Sequence, residues 1–236
     1  MVMLSFEKER NRKVAEKVIK GLQSRNMEGY FVETKDEALG LALDLIPKGS
    51  SVSWGGTYSI EEIGLKEALI QGQYTVYNRD TKKTPEEKRE MMLKAHSCDT
   101  FLSSTNAITE DGVLVNLDGN SNRVSCIAYG PKQVLMIVGM NKVTKDVEHA
   151  VYRVRNVAAP INAQRFPNGK TPCKVNGACA DCKSPDTICC NLLVTRFSQE
   201  KGRIKVILVN EVALGFRAEH TSLRFPIRVC PPLFAS

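Results

Sequence analysis

Val134-Leu-Met-Ile-Val138 is the stretch on which the fold turns. A fully apolar run of this length fits a strand covered on both faces, as the inner strands of a parallel sheet are. Working outward, short apolar strands are expected at 29–33, 51–54, 74–77, 100–103, 113–117 and 204–209. Between them the helices announce their own starts. Thr34 with Glu37, Ser59 with Glu62 and Thr84 with Glu87 each place a hydroxyl three residues ahead of a carboxylate. In such a capping box the hydroxyl accepts an exposed N–H and the carboxylate reaches back to the cap's own N–H. Pro85 takes a first helical position that needs no donor. Val14, Val18 and Leu22 recur every four residues and predict an amphipathic helix over 5–25, and a longer helix is expected over 144–159. Strands alternating with capped helices predict an α/β protein built on a mostly parallel sheet with helices on both faces. In such sheets the site lies beyond the carboxyl ends of the strands, at a switch in strand order.

The totals agree. A chain of 236 residues with 42% hydrophobic content suits one α/β domain, expected over 1–216, with a tail over 217–236. The +7 net charge is spread along the chain, and one Trp and eight Phe do not interleave with the basic residues. A nucleic-acid partner is therefore not expected, whereas a small anionic substrate is. No apolar run approaches a membrane span, and the first residues become charged too soon for a signal peptide, so a cytoplasmic protein is expected.

In a reducing compartment eight cysteines read as ligands or thiols rather than disulfides. Four fall within the irregular, Cys-, Pro- and Gly-rich segment 166–190: Cys173, Cys179, Cys182 and Cys189, spaced C-x5-C-x2-C-x6-C. The C-x2-C turn brings two sulfurs together, and thiolates suit iron–sulfur clusters and zinc. The lone C-x2-C, where a zinc ribbon pairs two, favours an iron–sulfur cluster, of the 4Fe–4S kind, with zinc as the alternative. Cys189 is preferred over its neighbour Cys190 as fourth ligand, because Cys190 leads straight into the apolar strand 192–194. Cys98 and Cys126 read as buried small apolar residues.

Three further segments stand at predicted strand ends. Trp54-Gly55-Gly56-Thr57 can let an anion approach the backbone, or can simply be a tight strand-to-helix turn. The polar stretch 103–123 offers Thr105, Asn106, Asn120 and Arg123 to a ligand, with Glu110 or Asp111 as base or nucleophile, although Asp111-Gly112 is also a hairpin signal. Beyond the apolar run, Asn141 and Lys142, and later Arg165, suit a carboxylate or phosphate. Arg153 and Arg155 read as solvated helix charges, and His96, His149 and His220 carry no pattern.

Taken in order, Trp54-Gly-Gly-Thr57, Thr105-Asn-Ala-Ile-Thr-Glu-Asp-Gly112, Gly119-Asn-Ser-Asn-Arg123, Gly139-Met-Asn-Lys142 and Ala158-Ala-Pro-Ile-Asn-Ala-Gln-Arg165 resemble the LUD (lactate utilisation) domain, lactate utilisation protein C-like, over residues 6–216. The cysteine segment resembles that of one subgroup. The resemblance implies a Rossmann-like fold similar to the ribose-phosphate isomerase and CoA-transferase group. It also implies a part in oxidising lactate to pyruvate, as an oxidoreductase component, beside iron–sulfur or other redox partner proteins. A homo-oligomer is open, and so is a non-redox enzyme on the same scaffold, acting on a small anionic substrate with structural zinc at the cysteines.

Overall fold

The computed structural model describes residues 4–211; the expected tail over 217–236, His220 and Cys230 lie outside the described residues. Ten strands form in chain order: β1 Glu28–Val32, β2 Ser51–Trp54, β3 Thr75–Tyr77, β4 Thr100–Ser103, β5 Ala107–Thr109, β6 Leu114–Asp118, β7 Gln133–Gly139, β8 Val143–Thr144, β9 Asn191–Thr195 and β10 Ile204–Val209. Six of them, in the order β1-β10-β7-β4-β2-β3, make one sheet in which every pairing is parallel.

The apolar run sits where its composition requires. Along β7, Val134, Met136 and Val138 enter one core layer, and Leu135 and Ile137 the other. The first layer is covered by α1 (Ser5–Ser24) through Ala15, Val18 and Leu22. The second is covered by α2 (Lys35–Leu45), α3 (Ser59–Glu62) and α4 (Leu65–Gln71), with Ala38, Ala42, Ile60, Leu65 and Leu69 fully packed. Helix α5 (Pro85–Ala95) carries a complete capping box between Thr84 and Glu87. Thr34 caps α2 as expected, but the Glu37 carboxylate accepts from the N–H of Glu33, one residue before the cap. The Ser59–Glu62 expectation fails: Tyr58 is the cap residue of the four-residue α3, and the Ser59 hydroxyl is engaged elsewhere.

The polar stretch 103–123 holds the strand expected over 113–117, as β6, and a further strand, β5, that was not expected. With β8 and β9 these two form a second, four-stranded mixed sheet in the order β8-β5-β6-β9. The turn between β5 and β6 lies against α1. A Cβ on Gly21 would stand 2.3 Å from the Asp111 backbone, and one on Gly112 would stand 2.5 Å from the Leu22 nitrogen. Gly112 also holds φ at +87°, which a side chain would strain.

Three further helical segments complete the site. Helix α6 spans Asn122–Ala128. Helix α7 starts at Val147, not Thr144, with Asp146 capping it through the His149 N–H. It continues through a π-helical turn, Val154–Ala158, into α8 (Ala159–Ala163). In the cysteine segment only α9 (Pro172–Asn176) is regular.

Candidate functional site

A cavity of about 520 Å³ opens at the carboxyl ends of β2, β4 and β7. The connection after β2 leads outward to β3, whereas the chain after β4 leads to β7 on the other side. This divergence is the crevice that parallel sheets use for ligands. Arg79, Lys88, Arg123, Lys142, Arg153 and Arg165 line it against only Asp80 and Asp118. That imbalance attracts anions. A more open hollow of about 600 Å³ lies at the amino-terminal strand ends, where the buried Arg203 is spent on the carbonyls of Pro131, Ile127 and Cys126.

Two buried arginines in the wall do different work. Arg123 has five N–H donors, and protein acceptors meet the four on Nη1 and Nη2. Nη1 donates to the Ser104 carbonyl and Asn116 Oδ1, at 3.1 and 2.7 Å. Nη2 donates to Asn106 Oδ1 and the Leu117 carbonyl, both at 2.9 Å. Nε faces the Asp118 carboxylate at 3.4 Å. Arg123, expected to bind substrate, thus spends both Nη groups as a buckle that ties the end of β4 to β6. Gly55 makes room for it: a Cβ there would come within 2.7 Å of Arg123 Cγ.

Arg153, expected to be a solvated helix charge, is 8% exposed. Its Nε and Nη1 hold the carbonyls of Asn141 and Asn106, while Nη2 is buried without a hydrogen-bond partner among the described residues. An orphan guanidinium donor in a cavity wall is a place for an anionic or carbonyl oxygen. The π turn follows directly, a distortion that often accompanies functional sites.

Lys142 is buried between two hydroxyls, 2.8 Å from Ser104 Oγ and 3.1 Å from Ser59 Oγ. Burial pushes its amine down to about 7, with Arg153 and Arg123 adding to the fall and Glu62 opposing it. At neutral pH a substantial fraction is the free amine.

Of the other expected ligand residues, Gly56, Thr57, Thr105, Asn106, Asn120 and Arg165 line the cavity. Thr105 spends its hydroxyl on the carbonyls of Ala107 and Val115. Arg165 lies over the Tyr58 ring at 4.2 Å. Asn141 contributes its backbone carbonyl to Arg153. The expected acid–base pair does not reach the cavity. Glu110 pairs with Lys145 at 3.0 Å and Lys17 at 4.0 Å, and Asp111 with Arg25, because their turn is packed against α1. Ser59, Ser104, Arg79 and Arg153 were missed. The strand-end rule could have found the first three, since each follows β2, β4 or β3 within a few residues.

Cys173 is buried, Cys179 and Cys182 partly buried, and Cys189 and Cys190 exposed at the residue level. Burial of its thiol and the nearness of Cys173, Cys179 and Cys182 push Cys189 up to about 11. Cys173, Cys179, Cys182 and Cys189 together are a donor set of the type that suits a soft cation or cluster. Among the described residues no three His, Cys, Asp or Glu side chains already stand at ligand spacing. Cys98 and Cys126 are fully buried, as expected. The segment is fastened to the cavity wall. A Cβ on Gly119 would lie 3.1 Å from Ile188, Gln164 donates to the Cys173 carbonyl at 3.0 Å, and Asp181 pairs with Arg155.

Fold and site together define an α/β protein with a cationic pocket at the carboxyl ends of a parallel sheet. The family described as LUD domain matches residues 15–209, and the chain belongs to that family, which implies a lactate-utilisation-type role. Among solved structures the chain is similar to a DUF162 family protein from Deinococcus radiodurans, with a TM-score of 0.51 and 11% identity over 85% of this chain and 98% of that one; the likeness is one of fold. No curated protein matches. Among the described residues no helix is long and apolar enough to cross a membrane.

Proposed function

We propose that the chain is an iron–sulfur-binding component of the oxidation of lactate or a related 2-hydroxy acid in the cytoplasm. The cavity holds the small carboxylate, with the free Arg153 donor and Arg165 as its anchors. Cys173, Cys179, Cys182 and Cys189 hold a cluster of the 4Fe–4S kind, which when bound supplies one-electron transfer toward a redox partner protein. The observation that carries this reading is the attachment of the cysteine segment to two cavity loops, through Gly119 against Ile188 and Gln164 on Cys173. A redox centre and a substrate pocket gain from such adjacency.

The test is anaerobic purification with iron, sulfide and zinc analysis, alongside calorimetric titration with lactate and pyruvate. A brown protein with iron and sulfide in equal amounts is expected. Binding of either acid should weaken roughly tenfold or more in Arg153→Leu, the loss of one charge-assisted contact. A colourless protein with stoichiometric zinc would overturn the redox assignment and leave the non-redox reading on the same scaffold.

A further inference from the structure

Three cavity-lining side chains, brought by three different strand ends, form a directional chain that neither carboxylate binding nor electron transfer uses. Ser104, just after β4, donates its only hydroxyl proton to the Ile137 carbonyl at 2.6 Å. Its oxygen is then left to accept from Lys142 Nζ at 2.8 Å. Lys142 stands 3.1 Å from Ser59 Oγ on the other side. As an ammonium, Lys142 donates to both hydroxyls. Once it loses a proton, the N–H toward Ser104 is retained by that anchored acceptor, and the lone pair is what faces Ser59. The Ser59 hydroxyl then donates to the amine. Nucleophile, base and orienting group in this order are the signature of an activated hydroxyl.

We propose that Ser59, Lys142 and Ser104 form an acyl-transfer centre, with Ser59 Oγ as nucleophile, Lys142 Nζ as general base and Ser104 as positioning residue, acting on a short ester or thioester that carries a carboxylate. The carboxylate is matched by the partnerless Nη2 of Arg153 in the same wall. In the first step Ser59 Oγ bonds to the acyl carbon and its proton passes to Lys142. The bond from the acyl carbon to the alkoxide or thiolate breaks, and Lys142 returns the proton to that leaving group. Water then attacks the acyl-Ser59 ester, giving a proton through Lys142 to Ser59 Oγ, and a carboxylic acid departs. Neither step needs an oxidant or reductant.

The base must be neutral to work, so the reaction rises with pH as Lys142 deprotonates. The charged groups bearing on it are Arg153 from α7 and Arg123 from α6, which favour the free amine, and Glu62 from α3, which favours the ammonium.

The test uses the whole chain, a fluorophosphonate probe and the mono-p-nitrophenyl ester of succinic acid. Peptide mass spectrometry should find the phosphonyl group on Ser59, with labelling that climbs through neutral pH. Ester hydrolysis should show a burst of p-nitrophenolate. Lys142→Met should cut both by about 100-fold or more, the lower end of a general base's contribution. Ser104→Ala removes an acceptor that favours the ammonium, so it should shift the pH midpoint downward and reduce the rate less. Thermal unfolding checks that each variant is folded, and Ser104→Ala serves where Lys142→Met does not fold. Wild-type protein that stays unlabelled at Ser59, or labelling indifferent to both Lys142→Met and Ser104→Ala, would overturn the proposal. The metal content of the cysteine segment has no bearing on either outcome, so this centre and the redox reading fail separately.

Discussion

Gly55 and Arg123 occupy one space: the absent side chain of the first is where the methylenes of the second lie, 2.7 Å from the position a Cβ would take. Arg123 cannot yield, because its guanidinium is pinned by four hydrogen bonds and an ion pair. Gly55→Ala should therefore destabilise the protein by about 1–3 kcal/mol, the usual effect of overpacking. Denaturant unfolding checks this, and a loss below a few tenths of a kcal/mol would show that the loop after β2 adjusts freely.

The buried amine of Lys142 makes stability depend on pH. Its folded value, about 7, lies below the ordinary 10.5, so between these limits the unfolded chain binds more protons than the folded one. The penalty for burying the charge is complete below about pH 7 and fades as pH rises toward 10.5. Wild-type stability should gain a rising component across this window, and Lys142→Met should remove it while stabilising the protein most at the acid end. Urea midpoints measured from pH 6.5 upward (a range of roughly three units) decide the matter; parallel curves for the two proteins would refute the buried amine.

Glu110→Gln should leave ligand affinity and any turnover unchanged and alter stability by no more than about 1 kcal/mol, since among the described residues Glu110 is paired with the exposed Lys145 and Lys17 alone. Calorimetry and denaturation on one variant suffice. Loss of activity would restore this carboxylate to the chemistry.

Cys189→Ser should lower metal content sharply, and Cys190→Ser should not, because it is the Cys189 thiol that feels the charge of the other three. Metal analysis of the two variants after identical anaerobic purification makes the comparison. Equal loss from both, or retention in both, would remove Cys189 from the ligand set.

Much of the architecture was legible because it rests on local physics. The run at 134–138 needs cover on both faces whatever surrounds it, and α1 and the Thr84–Glu87 cap are decided within a turn or two. The cysteine spacing and the strand-end loops likewise marked segments that belong to one side of the molecule. What failed were readings that depend on partners far along the chain. Ser59 looked like a cap because Glu62 stands three residues on, but Lys142, 83 residues away, takes its hydroxyl. Arg153 looked solvated because a helix carries arginine equally well on either face; the carbonyl of Asn106, 47 residues back, fixes which face is buried.

By itself, then, the chain's order of residues determined the strands of the parallel sheet, the starts of α1, α2 and α5, and the family, since periodicity and capping act over a few residues. Only the tertiary structure decided that Glu110 and Asp111 face α1, that both Nη groups of Arg123 are taken while Arg153 keeps a donor without a partner among the described residues, and that Ser59, Lys142 and Ser104 meet. Hydrogen-bond saturation and desolvation are properties of a place rather than of a residue, and the place exists only once distant strand ends are packed side by side.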